Sequence, residues 1–149
     1  MPSFVKSKYS NEFNSELRVR ALGVLAEKIC FSIEKTLKNL GIPKPQNLFP
    51  SVHEYQYLCD SIVLVITDER FNNQRLTESI YTVIAQKYAK KCLATTKKVE
   101  RGIAKQIVFG WGYGDPDIWK SYFGYSILER FDGPTNFQFI SAIASSLCS

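Results

Sequence analysis

The stretch that decides the fold covers residues 76–110, LTESIYTVIAQKYAKKCLATTKKVERGIAKQIVFG. Between Leu76 and Tyr88 the apolar residues recur every three or four positions, which is the spacing of one helix face. The five residues Lys91–Thr95 are too few for another element and predict a turn. A second helix is predicted for about residues 96–110. Two amphipathic helices joined by a short turn, the second strongly basic, have the outline of a helix-turn-helix.

The second helix has two chemically different faces. On a helical wheel its apolar side carries Ile103, Ile107, Gly110 and Trp111, and its basic side carries Lys97, Lys98, Arg101 and Lys105. Between Lys87 and Lys105 seven basic residues stand against one acidic residue. Such a face is either a solvated charged surface or a nucleic-acid-binding surface. Two features favour the second: the positive end of the helix dipole beside the lysines, and small residues at Gly102 and Ala104, which predict a backbone low enough to enter the major groove.

Glu100 is the acidic exception on this helix. It has three readings at this stage. It pairs with Lys97, it offsets other positive charge nearby, or it accepts a hydrogen bond from cytosine N4 while Arg101 binds the neighbouring guanine.

The residues before the helix-turn-helix predict two further helices. Ser15–Leu40 carries an apolar stripe and ends before Gly41 and Pro43; the stripe is Leu22, Leu25, Ile29, Ile33, Leu37 and Leu40. This stripe packs on the core, the preferred reading, or pairs with its twin in a dimer. A loop follows at Lys44–Ser51, and Val52–Thr67 is predicted as a buried helix, although Ser61–Thr67 alone resembles a strand.

The residues after the basic helix are divided by turn signals. The Gly-rich stretch Gly110–Pro116 is predicted to end the basic helix, and Ile118–Tyr125 to form a short one that buries Trp119 and Phe123. Thr135 and Gln138 fit a capping box ahead of a last apolar helix. The predicted fold class is therefore all-α, a compact multi-helix domain with an extra long N-terminal helix.

Composition agrees with one soluble domain. The chain has 149 residues, of which 45% are hydrophobic and 22% charged, with a net charge of +5. We expect a flexible tail at residues 1–14 and a single helical domain at 15–149. Because no signal sequence and no apolar run of about 20 residues are present, the sequence predicts a cytoplasmic location without a membrane partner.

Metal sites, cofactors and catalysis have little support in the sequence. The four cysteines, Cys30, Cys59, Cys92 and Cys148, lack metal-ligand spacing and are predicted to be buried free thiols. His53 has no nucleophile motif nearby, and Asp115 and Asp117 around a proline favour a turn and helix cap over a cation site. We therefore expect no enzyme, no metal and no cofactor.

Several short motifs resemble a known family. Val99-Glu100-Arg101-Gly102-Ile103, Tyr122–Tyr125 and Pro134–Ile140 resemble the C-terminal DNA-binding effector domain of the master sporulation response regulator of endospore-forming bacteria. The resemblance covers about Thr36–Leu147. It implies an all-helical domain with one helix-turn-helix motif. The second helix of this motif is implied to enter the major groove of double-stranded DNA.

The resemblance also implies roles for individual residues. Glu100 and Arg101 become the base readers, with backbone contacts expected from Thr95, Thr96, Lys97, Lys98 and Lys105. The region around residues 112–126 is implied to contact the RNA polymerase sigma subunit, for which we single out Asp115 and Lys120. Two departures stand out, because Ala104-Lys105 replaces the family's Arg-His pair and the loop at Lys44–Ser51 is longer.

Regulation and assembly are expected to differ from the family pattern. The residues before Thr36 are far fewer than the roughly one hundred of a phosphorylatable receiver, so control by phosphorylation within this chain is not expected. A homodimer on DNA is expected, through Ser15–Leu40, which is preferred and would give a constitutive dimer, or through Thr135–Leu147. The predicted function is transcriptional regulation; the alternatives are a protein-interaction module and an accessory DNA-binding factor of a plasmid or phage.

Overall fold

The computed structural model describes residues 27–46, 51–68, 71, 77–125 and 133–148. These residues contain six α-helices and no strand, which confirms the all-α prediction. The helices are α1 (27–39), α2 (Ser51–Thr67), α3 (Thr77–Cys92), α4 (Thr96–Tyr113), α5 (Pro116–Phe123) and α6 (Asn136–Cys148). The helical interpretation of Ser61–Thr67 is therefore correct. The predicted tail at residues 1–14 and the predicted helix before residue 27 lie outside the described residues.

The turn of the helix-turn-helix is shorter than predicted. Helix α3 continues through Cys92, so that the turn comprises only Leu93–Thr95. Leu93 adopts a left-handed backbone conformation with φ 54°, which reverses the chain within three residues. The five-residue turn was wrong because local composition does not show where the hydrogen bonds of α3 end.

Helix α4 ends later than predicted. It runs through Gly110 and Gly112 to Tyr113, where the N–H of Gly114 donates to the carbonyl of Gly110 at 2.7 Å. Helix α5 then begins at Pro116 rather than Ile118. The Asp115 side chain caps it by accepting from the N–H of Asp117 at 2.9 Å, as the turn-and-cap interpretation predicted.

Helix α2 lies at the centre of the fold, in contact with α3, α4 and α6. Helix α1 adds its apolar stripe to this core, where Ile33, Leu37 and Leu40 are fully buried. The core interpretation of the stripe is therefore correct for its described part. Leu22 and Leu25 lie outside the described residues.

An aromatic cluster joins α5 and α6 to the end of α1. Trp119 is fully buried, and its ring lies 5.3 Å from that of Phe123 and 5.6 Å from that of Phe139. Its indole N–H donates to the Leu40 carbonyl at 2.9 Å, which satisfies the polar atom of a buried tryptophan. The prediction of Trp119 as core is confirmed, and Phe123 is half-buried against the same cluster.

The cysteines are free but not uniformly buried. Cys59 is buried and Cys92 half-buried, whereas Cys30 and Cys148 are exposed. The buried-thiol prediction is wrong for these two because Cys30 lies on the outer face of α1 and Cys148 in the last turn of α6. Among the described helices, none has the length and apolarity required to cross a bilayer.

Two glycines of α4 provide a matched test of its packing. A Cβ at Gly110 would overlap Ile42 and lie 3.0 Å from the Trp119 ring, whereas a Cβ at Gly112 meets nothing within 4 Å. We expect Gly110→Ala to lower the free energy of unfolding by about 1–3 kcal/mol through overpacking. Gly112→Ala should raise it by up to about 1 kcal/mol, because alanine favours helix. Urea unfolding followed by circular dichroism measures both; equal effects would contradict the packing of α4 on residue 42.

Candidate nucleic-acid interface

The buried and exposed faces of helix α4 agree with the prediction from the helical wheel. Its inner face is buried and consists of Val99, Gly102, Ile103, Gln106, Ile107 and Gly110. Its outer face is exposed and carries Lys97, Lys98, Glu100, Arg101 and Lys105. The basic residues predicted for DNA contact therefore share one solvent-facing surface, which we call the basic face.

Gly102 does not belong to the basic face. It is buried against α2, where an added Cβ would lie 3.0 Å from Glu54 Cγ and 3.2 Å from Tyr57 Cδ2. The prediction that Gly102 lowers the outer surface for groove entry is therefore wrong. Its small size instead lets the backbone of α4 approach α2 closely, while Ala104 is half-buried at the edge of the basic face.

The start of α4 is held by its own side chains. Thr95 is the N-cap, and its hydroxyl oxygen accepts from the backbone N–H of Lys98 at 3.2 Å. The ammonium of Lys98 donates to the Leu93 carbonyl at 3.2 Å and so folds back over the turn. Thr96, the first residue of α4, is half-buried. Thr95 and Lys98, which are predicted to contact the DNA backbone, thus also organise the turn of the protein.

Arg101 and Glu100 have exposed side chains without an ion-pair partner among the described residues. The Lys97–Glu100 pair considered from the sequence is not formed. The backbone at this position is fixed instead, because the Asn136 amide donates to the Glu100 carbonyl at 3.1 Å and to the Tyr81 hydroxyl at 3.1 Å. One amide of α6 therefore holds the central turn of the basic face against α3.

Two open cavities flank Arg101. The larger, of about 660 Å³, lies towards α3 and α6 and is bordered by Glu78, Thr135 and Phe137. The smaller, of about 450 Å³, lies towards α2 and is bordered by His53. Arg101 lines both cavities, so it stands on a ridge with a depression on either side.

Lys105 is oriented by a residue that sequence reasoning missed. Its ammonium lies 3.6 Å from a carboxylate oxygen of Glu54, whose side chain is only 15% exposed. The other carboxylate oxygen accepts from the Gln106 amide at 3.4 Å. No local pattern reveals Glu54, because it lies about fifty residues upstream and meets α4 only through the packing of α2.

Asp115 and Lys120 lie on a different part of the surface. Asp115 caps α5, and the ammonium of Lys120 lies 3.6 Å from the centre of the Tyr125 ring. Arg101 and the end of α4 at Tyr113 are separated by about 18 Å of helix at the usual rise per residue. The structure therefore does not bring these two residues into the basic face.

Two helices joined by a three-residue turn, with an exposed cationic face on the second, define the helix-turn-helix class of DNA-binding domains. The family model described as "Sporulation initiation factor Spo0A C terminal" matches residues 33–147, well over half of the chain, and the protein belongs to this family. The match confirms the resemblance found from the sequence. The family is a DNA-binding effector domain of transcription regulators and not an enzyme family.

Proposed function

We propose that this protein is a sequence-specific regulator of transcription that inserts the basic face of α4 into the major groove of double-stranded DNA. The observation that carries the proposal is the position of Arg101, exposed on a ridge between two depressions. A ridge of this kind suits the major groove, which admits an α-helix between two phosphate backbones. The depressions leave room for these backbones on either side.

Glu100 and Arg101 are proposed as the base readers. Arginine binds guanine O6 and N7 with two hydrogen bonds, and glutamate accepts from cytosine N4. Both side chains are exposed, and no ion pair among the described residues has to be broken before they contact a base. The hydrogen bond from Asn136 to the Glu100 carbonyl supports this role, because it limits backbone movement where the bases would be read.

The phosphate contacts are proposed for Thr95, Thr96, Lys97, Lys98 and Lys105. The ammonium of Lys98 is held over the turn by the Leu93 carbonyl, and that of Lys105 is held by Glu54. Lys98 is exposed and the Lys105 side chain is 71% exposed, so both ammonium groups can reach a phosphate from these positions. The hydroxyl of Thr95 can donate to a phosphate while its oxygen still accepts from Lys98 N–H.

Two substitutions separate base reading from phosphate contact. Arg101→Ala should weaken binding to the selected site by about 1–3 kcal/mol and change binding to random duplex much less. Lys97→Ala should weaken both similarly and lower the slope of log K against log salt by about 1. Lys38→Ala, at an exposed position of α1, is the matched control and should change neither. The measurement is fluorescence anisotropy at several salt concentrations, after selection of bound duplexes from a random pool.

If Arg101→Ala lowers the affinity for selected and random duplexes equally, Arg101 contacts a phosphate and does not read a base. Retention on heparin without a shift of any duplex would favour the alternative of a protein-interaction module. The mobile-element alternative predicts specific binding without any effect on transcription.

We further propose that Asp115 and Lys120 form an activating surface for the RNA polymerase sigma subunit. Asp115 caps α5 and Lys120 lies within it, away from the basic face, and the nearby rings of Tyr113 and Tyr125 are exposed. Asp115→Asn combined with Lys120→Gln tests this, because asparagine also caps helices and so preserves the start of α5. We expect promoter activation in a reconstituted transcription assay to be lost at unchanged DNA affinity. Activation that survives would place the polymerase contact elsewhere.

Two copies are proposed to bind together on DNA, because a single recognition helix reads only a few base pairs. In their described parts, both surfaces considered from the sequence are used within the chain: Ile33, Leu37, Leu40, Phe139, Ile140 and Ile143 are all buried. Pairing should therefore depend on DNA. In sedimentation experiments we expect monomers at micromolar concentration and a two-to-one complex on a duplex with two half-sites. A dimer without DNA would contradict this expectation.

A further inference from the structure

A thiol and an imidazole meet beside the basic face. The sulfur of Cys92, at the end of α3, lies 3.2 Å from Nδ1 of His53, near the start of α2. Both side chains are half-buried and both line the 450 Å³ cavity that reaches Arg101. Neither residue has a part in the DNA contacts proposed above. A cavity of this size falls in the range that holds small molecules.

Tyr57 and His53 both lie beside the sulfur of Cys92. Burial raises the pKa of the Tyr57 phenol, and interaction of its hydroxyl with Cys92 raises this pKa further. Tyr57 therefore keeps its proton and can donate a hydrogen bond to the sulfur. In the tautomer with unprotonated Nδ1, His53 can take the thiol proton. A thiolate with a neighbouring histidine is the usual arrangement of a reactive cysteine.

The other charged residues that line the cavity favour an anionic ligand. Lys98, Arg101 and Lys105 line it together with a single carboxylate, Glu54. Glu54 is itself engaged by Lys105 and Gln106. A small molecule that carries carboxylates would therefore be attracted to this cavity, and a cationic one would be repelled.

We propose that Cys92 is a site of reversible modification by anionic low-molecular-weight disulfides, and that the adduct occupies the cavity and prevents α4 from binding DNA. The modification of Cys92 depends only on the Cys92–His53 pair and its cavity. The loss of DNA binding rests on the proposed function of the basic face, because the adduct would lie against Arg101 and Lys105 and offset their charge.

The reaction is a thiol–disulfide exchange that needs no further reagent. His53 Nδ1 takes the proton of the Cys92 thiol, and the thiolate attacks one sulfur of the disulfide. The sulfur–sulfur bond of the reagent breaks as the bond to Cys92 forms. The departing thiolate takes the proton from His53 and leaves as a thiol. Cys92 is oxidised, the departing sulfur is reduced, and an added thiol reverses the exchange.

The other cysteines serve as internal controls. Cys30 is exposed, but partial desolvation together with the charges of Asp60 and Glu34 raises the pKa of its thiol. Cys59 is buried, and desolvation raises its pKa to about 12. Cys148 is exposed at the end of α6. If exposure alone decided reactivity, Cys30 and Cys148 would react before Cys92.

The site is tested by reacting the full chain with glutathione disulfide, which is anionic, and with cystamine, which is cationic. Peptide mapping by mass spectrometry gives the rate at each cysteine. With glutathione disulfide we expect Cys92 to react severalfold faster than Cys30, because His53 can accept the thiol proton and the basic residues of the cavity attract the anionic probe. With cystamine the ratio of these two rates should fall severalfold. The proposal is overturned if Cys92 reacts no faster than Cys30, or if the ratio of their rates is the same for both probes. Both results are obtained on the unaltered chain.

Two variants test the chemistry of the pair. His53→Gln should remove most of the advantage of Cys92 over Cys30, and Cys92→Ser should remove this adduct while Cys30 still reacts. Circular dichroism melting confirms that each variant is folded. An unchanged rate at Cys92 in folded His53→Gln would exclude the imidazole as proton acceptor and overturn the proposed site.

The effect on DNA is measured separately, on Cys30→Ser/Cys148→Ser protein carrying glutathione at Cys92. Its affinity for the selected duplex should fall at least about tenfold, a loss of about 1.4 kcal/mol, and recover with dithiothreitol. The matched control is Cys92→Ser/Cys148→Ser protein carrying the same adduct at Cys30, which should bind normally. An adduct at Cys92 without loss of affinity overturns the occlusion. If the unmodified protein binds no duplex, the proposed function fails, whereas the rates at Cys92 still decide the modification site.

Discussion

Helix α4 lies close against the rest of the molecule because two residues of its inner face have no side chain. At Gly102 its backbone approaches Glu54 and Tyr57 of α2, and at Gly110 it approaches Ile42. Larger residues at either position would push α4 outward and change its depth relative to α2 and α3. The height of the basic face, the depressions on either side of Arg101 and the contact between Glu54 and Lys105 all depend on this close approach.

Close packing also sets the electrostatics of the surface. Because Gly102 admits the Glu54 side chain beneath α4, a carboxylate lies near the basic face, where it orients Lys105 and accepts from Gln106. Arg101 and Lys97 are exposed and have no ion-pair partner among the described residues. The basic face therefore holds two kinds of cation: Lys98 and Lys105 contact other groups of the chain, whereas Arg101 and Lys97 are unpaired.

Features that depend on neighbours in sequence could be predicted, and features that depend on packing could not. The capping box is an example of the first kind: Thr135 N–H donates to the Gln138 side chain at 3.0 Å, and Gln138 N–H to the Thr135 hydroxyl at 3.2 Å. The two faces of α4 follow equally from its periodicity. Glu54 and Asn136 belong to the second kind, because their partners are many residues away. Gly102 combines the two kinds of feature. Its small size can be read from the sequence, but its position against α2 depends on packing.

The double hydrogen bond of Asn136 has a consequence for communication within the molecule. A single amide at the first residue of α6 is bonded to the Tyr81 hydroxyl of α3 and to the Glu100 carbonyl of α4. Helices α3, α4 and α6 are therefore linked by one side chain behind the basic face. Displacement at the start of α6 would reach the peptide of Glu100 without passing through the hydrophobic core. A molecule bound at the start of α6 would therefore be one hydrogen bond away from the segment proposed to read DNA without touching the basic face.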